Sequence, residues 1–218
     1  MNLDFTDIIP SMPYILEGVY TTLQIAALAA LFGFLLGTII ALCKITTIKP
    51  LIWLADFYTS IFRGTPLVLQ LMIIYFASPQ LFGYQIEGYW AAVLAFSLNS
   101  AAYISEIIRG GILAVDKGQR EAAMALGVPY SSMMANIILP QAYKNILPAL
   151  MNEFITLTKE SAIVTTIGIM DIMRRAYQVG GQTFQYLEPL LFAGLIYYVL
   201  VMILTLIGKM LEKRLQHG

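Results

Sequence analysis

Charged side chains are scarce in this chain: only 12% of its 218 residues are Asp, Glu, Lys or Arg, and 59% are hydrophobic. A soluble domain has roughly 25% charged and about 45–50% apolar residues. The mean hydropathy of +0.75 points the same way. This composition excludes an ordinary soluble domain and predicts one membrane domain over residues 1–218. Because the formal net charge is zero, a nucleic-acid partner is also excluded.

Residues that could support covalent or metal chemistry are also few. Cys43 is the only cysteine, which excludes an intramolecular disulfide, and His217 is the only histidine. The sequence contains no metal-ligand cluster, no nucleophile–base pair and no G-x-x-x-x-G-K-[ST] phosphate loop. We therefore expect a chain that is not an enzyme and binds no cofactor or metal. Any ATP hydrolysis would belong to another subunit.

Long apolar stretches are what the sequence has instead. A transmembrane helix needs about 20 mostly apolar residues, and five stretches predict an all-α membrane protein with about five transmembrane helices. The stretches lie at about 14–43, 51–81, 89–108, 137–158 and 189–207. The first contains GFLLG, in which Gly33 and Gly37 form a small-xxx-small pair that lets another helix approach closely.

Two places interrupt this helical pattern. RGTP, Arg63 to Pro66, lies inside the second stretch, where proline removes a backbone donor and bends a helix. We expect Arg63, Thr65 and Pro66 to have structural or gating roles. Segment 161–188 contains IVTTIGIM, which is too short to span a membrane and indicates a re-entrant or interfacial piece. Backbone amides at both breaks could bind a substrate carboxylate, and Ser161 begins the second break.

Basic residues are distributed unevenly between the two sides of the predicted helices. Cytoplasmic loops collect Lys and Arg near helix ends. This rule favours an N-terminus outside and a cytoplasmic C-terminus, which leaves only Arg174 and Arg175 outside. The opposite orientation would reverse the bias. The residues then placed inside are Lys44, Lys49, Arg109, Lys117, Arg120, Lys144, Lys209, Lys213 and Arg214.

A short stretch, GQREAAMALGVPY at 118–130, separates the third and fourth predicted spans on the cytoplasmic side. It is too short to cross a bilayer, and Gly127 suits a left-handed helix C-cap. Its small apolar surface fits a groove on a partner. The alternative is an ordinary loop that happens to be helical. The residues predicted to dock the partner are Glu121, Ala122, Ala123, Leu126 and Gly127.

The same stretch resembles a known family motif. EAAMALG at 121–127, followed after nine residues by IILP at 137–140, fits the pattern E-A-A-x3-G-x9-I-x-L-P. It resembles the EAA loop of ABC importer permeases. FRGTPLVLQ at 62–70 and AYISEIIRGGILAVDKGQREAA at 102–123 resemble one branch of that family, the permeases for polar and basic amino acids.

The resemblance implies an assembly and a mechanism. It implies a type I importer core of five helices in the bacterial cytoplasmic (inner) membrane, with a coupling helix in the loop at about 110–136. The implied partners are a second permease subunit (identical or different), two cytoplasmic ATP-binding subunits that hold ATP and Mg, and an extracytoplasmic substrate-binding protein. Substrate would move by alternating access as the ATP-binding subunits close.

Glu153 and Glu160 are the clearest ionisable pair within a predicted span, where such residues are costly. Seven residues are about two helical turns, so both carboxylates lie on one face, ~10 Å apart along the axis. They suit a cationic substrate, since a guanidinium binds carboxylate through paired hydrogen bonds. The alternative is that each glutamate pairs with an internal cation such as Arg63 or Lys159. Glu160 also resembles the acidic position of the family's K-D/E-[ST] stretch.

Neutral polar side chains at membrane depth complete the candidate site. Gln70 and Asn99 come first because each can donate and accept hydrogen bonds, and Gln24 is a further candidate. The sequence thus predicts an amino-acid importer that prefers arginine, lysine or histidine. Glutamine or another polar amino acid is the runner-up substrate. The rival functions are an ion-coupled secondary transporter, with the carboxylates as proton or sodium sites, and a structural or sensory membrane subunit.

Overall fold

The fold is a bundle of helices, seen in a computed structural model that describes residues 5–216. No β-strand occurs in that range, so the predicted all-α class is confirmed; His217 lies outside it. Two 3₁₀ turns (Ile9–Ser11 and Ser161–Ile167) and a π-turn (Met134–Ile138) join the helices. The helices are α1 (Met12–Ile45), α2 (Lys49–Gly64), α3 (Leu67–Phe76), α4 (Ser78–Phe82), α5 (Gly88–Leu113), α6 (Lys117–Ala125), α7 (Tyr130–Met133), α8 (Leu139–Glu160), α9 (Ile172–Thr183) and α10 (Leu187–Gln216).

Three helices in the described range are each long and apolar enough to cross a membrane: α1 with the turn before it, α5 and α10. α2 and α3 qualify only as a pair, and they meet at an angle of 99°. α8 has 22 residues, about 33 Å of helix, but its two lysines and two glutamates make it more polar than the other spans. The five predicted passes therefore correspond to three clear spans, one bent pair and one polar helix.

The GFLLG segment of α1 packs against α5, and this helix pairing is the most extensive in the chain. A Cβ atom at Gly37 would lie 2.8 Å from the carbonyl oxygen of Ala101, and one at Gly33 would lie 3.0 Å from the Cβ of Ser100. Both distances are shorter than van der Waals contact. The contact with a backbone oxygen requires glycine at position 37, whereas a side chain at position 33 would need Ser100 to shift by a few tenths of an ångström. The predicted close approach is confirmed, and the approaching helix is α5 of the same chain.

Besides a small cluster of Ile40, Ala55 and Ala101 at the crossing, three larger clusters of buried side chains surround this pair. The first lies where α1, α3, α5 and α8 meet and includes Phe96 and Leu157. The second joins α1 to α9 and α10 around Ile172. The third lies beneath α6, where Ala123 packs with residues of α5, α7 and α8. α5 is therefore central to the bundle, whereas α10 exposes most of its length.

The chain turns sharply between α2 and α3. Thr65 and Pro66 both have extended backbone conformations, with ψ angles of 149° and 136°. A helix does not continue through Pro66, because proline has no N–H and its ring disfavours the helical conformation of the preceding residue. The predicted bend at RGTP is confirmed, and it is a complete break between two helices.

Two glycines offer a matched test of the α1–α5 packing. Gly37→Ala adds a methyl group against a backbone carbonyl, so it should lower the free energy of unfolding by about 1–3 kcal/mol. Gly110→Ala adds the same group to α5 where no described atom lies within 4 Å, and should raise stability by up to about 1 kcal/mol. Thermal unfolding in detergent micelles compares the two variants. Equal thermal unfolding midpoints for the two variants would contradict the close packing of α1 against α5.

Candidate functional site

Glu153 is a half-buried carboxylate held between two helices. It belongs to α8, and the Oγ of Ser100 on α5 donates a hydrogen bond to its Oε1 at 2.9 Å. Ser100 is fully buried and lies at the α1–α5 crossing, beside Gly33. The close packing of α1 and α5 therefore fixes the hydroxyl that orients Glu153.

Neither of the predicted internal cations neutralises the glutamates of α8. Within residues 5–216, all the ion pairs involve other acidic residues. Arg63 lies over the ring of Tyr103, 5.4 Å from the ring centroid. Lys159 is exposed and acts on its neighbour Glu160 only beyond ion-pair distance. These contacts favour the substrate hypothesis over internal ion pairing for Glu153, and the roles of both glutamates stay predictions.

Glu160 and Ser161 lie at the end of α8. Glu160 is half-buried and lies seven residues after Glu153, about two helical turns along the same face of α8. Ser161 is fully buried, and its hydroxyl donates to the backbone carbonyl of Thr158 at 2.8 Å. The two glutamates form one negative region, whereas the Ser161 hydroxyl is engaged with its own chain segment.

Gln70 and Asn99, the two amides expected to face a substrate, bind each other. Asn99 Nδ2 donates to Gln70 Oε1 and to the carbonyl of Phe62, both at 3.0 Å. Gln70 Nε2 lies 2.9 Å from the same carbonyl and 2.9 and 3.1 Å from the two oxygens of Thr65. Both side chains are buried. Their hydrogen bonds are directed at the α2–α3 break.

The carbonyl of Phe62 explains this arrangement. In a continuous helix it would accept a hydrogen bond from the N–H of residue 66, but Pro66 has no N–H. An unsatisfied backbone carbonyl is costly inside a membrane, and the two amides supply the missing donors. We call Gln70 and Asn99 the amide brace. Their contacts favour a structural role over the predicted role in substrate binding.

The other residues of the break have separate contacts. The hydroxyl of Thr65 donates to the carbonyl of Ile61 at 2.8 Å, where α2 ends. Arg63 is exposed and stacks on Tyr103 of α5, and Pro66 precedes the first residue of α3. These contacts agree with the structural role predicted for this segment, and a gating role stays a prediction.

Gln24 lies apart from these groups, on α1. Its Nε2 donates to the hydroxyl of Tyr20 one turn earlier, at 2.7 Å, and Tyr20 is 70% exposed. Gln24 forms no hydrogen bond with another candidate residue of the described chain. It is the substrate-binding candidate with the least support.

The short helix predicted at 118–130 is α6. Asp116 caps its start by accepting a hydrogen bond from the N–H of Gly118 at 2.7 Å. At its end the N–H groups of Gly127 and Val128 each lie 3.0 Å from a carbonyl of the last turn, which is a Schellman cap. Gly127 has a φ of +68°, so the predicted left-handed C-cap is confirmed.

Most residues predicted to dock a partner are on the exposed side of α6 or just after it. Leu126 is 81% exposed, whereas Ala123 is only 3% exposed. Ala123 packs in the third cluster with Met133 and Ile138, so it anchors α6 to the bundle and is absent from the exposed face. The exposed members of the predicted set are Glu121, Ala122, Leu126 and Gly127.

A buried network around Asp171 was not expected from the sequence. Asp171 is fully buried and accepts hydrogen bonds from the hydroxyls of Thr165 at 3.0 Å and Tyr197 at 3.1 Å. It also accepts one from the N–H of Arg174 at 2.8 Å, so it joins the turn after α8 to α9 and α10. An aspartate three residues before that N–H is the local signal of a helix N-cap.

A second unexpected network lies at the end of α1. Lys44, whose side chain is only 5% exposed, binds Asp56 of α2 at 2.8 Å and Glu106 of α5 at 2.5 Å. Glu106 also binds Arg109 at 2.7 Å. The sequence indicates only the Glu106–Arg109 pair, because these residues are three positions apart on one helix. The partners of Lys44 lie on other helices and have no such local pattern.

Comparisons with known sequences give consistent matches. The family model described as the inner membrane component of binding-protein-dependent transport systems matches residues 33–217. The arginine transport system permease protein ArtQ of Bacillus subtilis (strain 168) is 66% identical over 216 residues, 99% of each chain. The putative glutamine transport system permease protein GlnP of Rickettsia felis is 50% identical over 206 residues, 94% of each chain.

Solved structures agree with the fold. A chain in the crystal structure of an amino acid ABC transporter with histidines has a TM-score of 0.94 and 43% identity, covering 98% of this chain and 100% of that one. A chain in an inward-facing structure of the MetNI methionine ABC transporter has a TM-score of 0.77 at 21% identity, covering 95% and 98%. The second similarity concerns the fold alone.

The amide brace can be tested with a double-mutant cycle. Asn99→Leu and Gln70→Leu each remove a donor from a buried carbonyl, so each should lower the free energy of unfolding by about 1–3 kcal/mol. The double variant should lose less than the sum, by about 0.5–1.5 kcal/mol, because the two amides bind each other. Unfolding in detergent micelles measures these differences. The control is Ser97→Ala, which removes a hydroxyl bonded to its own helix and should change stability less. If the losses in unfolding free energy of the two single variants simply add in the double variant, the amide brace is contradicted.

Proposed function

Because the chain belongs to the family of inner membrane components of binding-protein-dependent transport systems, we propose that it is the permease subunit of an ATP-driven amino-acid importer. Its preferred substrates are cationic amino acids, with arginine first. The whole chain, 1–218, acts as one transmembrane domain and catalyses no reaction itself. The substrate proposal is carried by Glu153, which has a hydroxyl partner but no cation partner within the described chain.

A cationic substrate would supply the charge that Glu153 lacks. A partly buried carboxylate without a counter-ion is costly, and a guanidinium or ammonium group removes that cost through charge-assisted hydrogen bonds. Ser100 binds one carboxylate oxygen and leaves the other for the substrate. Glu160 adds negative potential to the same region, so we assign it to substrate attraction. The Gln24 and Ser161 side chains contribute less, since both are bonded elsewhere.

Similarity supports the cationic assignment and also supplies the second candidate. The Bacillus subtilis relative named for arginine transport is 66% identical, whereas five relatives named as putative glutamine permeases are 48–52% identical. Glutamine is therefore the alternative substrate. An ion-coupled secondary transporter is disfavoured, because the exposed and capped helix α6 would have no role in it.

We assign α6 as the coupling helix that docks on an ATP-binding subunit. Its exposed apolar side, with Leu126 at the end, would enter a groove on that subunit. Ala123 holds α6 against the third cluster, and α7 and the π-turn Met134–Ile138 lead directly into α8, which carries Glu153. Movement of α6 would thus be passed to α8 through the third cluster and along about 21 Å of helix to Glu153. ATP and Mg would be bound by the partner subunits, and this chain would act mechanically.

The proposed assembly follows from the same family. It contains two ATP-binding subunits, a second permease subunit that is identical or different, and an extracytoplasmic binding protein that delivers the amino acid. The location is the bacterial inner membrane, with the N-terminus outside and the C-terminus in the cytoplasm, as the distribution of Lys and Arg favours. In this orientation α6 is cytoplasmic, and the turn Ser161–Ile167 lies toward the outside.

Replacing Glu153 with glutamine tests the substrate assignment. The purified permease–ATPase complex, without the binding protein, is titrated with arginine, lysine, histidine, glutamine and glutamate. The cationic amino acids should bind best to the parent complex. Glu153→Gln should weaken arginine binding by about 10- to 100-fold, because hydrogen bonds to charged groups contribute about 1.5–3 kcal/mol. Glutamine binding should change little.

Two further variants serve as controls for this titration. Glu87→Gln neutralises an exposed carboxylate at the start of α5 and should leave all five affinities unchanged. Ser100→Ala keeps the carboxylate but removes its hydroxyl partner, so its effect on arginine should be smaller than that of Glu153→Gln. If all five amino acids bind the parent alike, the cationic site is wrong, although the chain would remain a permease whose selectivity lies in the binding protein.

Gly127 provides the test of coupling. A Cβ atom at this position would meet no described atom within 4 Å, so substitution acts through the positive φ. Gly127→Val is strained there, whereas Gly127→Asn is tolerated. We expect the Val variant to insert normally but to hydrolyse ATP with little uptake, and the Asn variant to resemble the parent. Uptake per ATP hydrolysed in proteoliposomes measures this, and parental coupling in both variants would refute the assignment.

A further inference from the structure

A polar cavity lies at the end of the bundle near α6, and Glu153 is not among the residues that line it. Its volume is about 170 Å³, and its wall comes from α1, α5, α6 and α7. Three of its side chains are cationic, namely Lys44, Arg109 and Arg120, and Tyr130 adds a hydroxyl. The volume corresponds to roughly five water molecules, so the cavity can hold a phosphate group.

The cations of this cavity are only partly neutralised. Glu106 binds both Lys44 and Arg109, and Asp56 binds Lys44. Arg120 has no hydrogen-bond acceptor or ion-pair partner anywhere in residues 5–216 and is half-buried. Three cations therefore share two carboxylates, and one guanidinium is free. A guanidinium fork matches the oxygens of a phosphate.

In the orientation proposed above, the cavity lies at the cytoplasmic end of the bundle, where we expect the phosphates of the inner leaflet. α1 and α5 both end there, on the side that is cytoplasmic in the orientation proposed above. The cytoplasmic leaflet carries anionic lipids, and basic pockets between transmembrane helices on that side bind their headgroups. Leu113 (56% exposed) and Tyr130 (66% exposed) line the same cavity and offer the mixed apolar and polar surface typical of the membrane interface.

We propose that this cavity binds the phosphate of an anionic phospholipid from the cytoplasmic leaflet. The recognised chemistry is a phosphate group, and free phosphate from the cytoplasm is the other source of it. Arg120 belongs to α6, whereas Lys44 and Arg109 belong to α1 and α5, so a bound phosphate would fasten α6 to the bundle. Anionic lipid would then stabilise the helix that docks on the ATPase. This effect on docking rests on the proposed function, whereas lipid binding in the cavity does not depend on it.

Lipid binding is measured on the complete permease–ATPase complex in phosphatidylcholine nanodiscs titrated with phosphatidylglycerol, with bound lipids counted by native mass spectrometry. Arg120→Gln should weaken phosphatidylglycerol binding by about fivefold, the contribution of one basic residue near an anionic surface. Arg120→Lys keeps the charge but loses the paired hydrogen bonds of the guanidinium, so its binding should lie between that of the parent and that of Arg120→Gln. Lys117→Gln removes an exposed cation of α6 that does not line the cavity, and it should have no effect. Arg120→Ala gives the same test if the Gln variant does not assemble.

The outcomes distinguish lipid binding in this cavity from nonspecific attraction to surface charges and from binding of free phosphate. Equal losses in the Lys117 and Arg120 variants, or none in either, would overturn the proposal. Millimolar inorganic phosphate that fully displaces phosphatidylglycerol would identify a free-anion site and overturn the lipid assignment, whereas persistent lipid binding supports it. No transported substrate is needed, so a failure here and a failure of the proposed import function are distinguishable.

Discussion

Every backbone donor and acceptor that lies in lipid must find a partner inside the protein, and this constraint shapes the chain wherever its helices are interrupted. At Pro66 a carbonyl loses its helical partner, and the amide brace replaces it with side chains from α3 and α5. Just before Pro140 the helix widens into the π-turn Met134–Ile138, which changes the pattern of backbone hydrogen bonds. Gln70 and Asn99, which the sequence suggests could bind a substrate, are therefore already hydrogen-bonded to the backbone.

Features set by local sequence could be predicted, whereas partners across the bundle could not. A glycine after an alanine-rich turn indicates the cap at Gly127, and a proline within an apolar run indicates the break at Pro66. Gln70 and Asn99 are 29 positions apart, and an amide at membrane depth has the same sequence signature whether it faces a substrate or a carbonyl. Helical periodicity likewise groups residues on one face without showing which face is buried. The sequence therefore places Ala123 among the docking residues, although it is buried against the bundle.

α8 joins the packing of the bundle to its chemistry. It is too polar to resemble an ordinary span, and α5 and α10 both pack against it. The small residues of α5 permit a close approach on both sides: Ser100 lies against Gly33 of α1 and also reaches Glu153 of α8. The same tight crossing that stabilises the fold therefore orients the carboxylate on which the substrate assignment depends. A sequence reveals the glutamate, but the serine that holds it becomes apparent only from the packing.

The crossing of α1 and α5 also limits how the molecule can change shape. With Gly37 seated against the carbonyl of Ala101, neither helix can slide along the other without driving a larger side chain into the backbone. Closely interlocked helices resist such sliding, because packed interiors deform little. We therefore expect α1 and α5 to move together as one unit. Any change of shape during transport would then come from the helices that surround this pair.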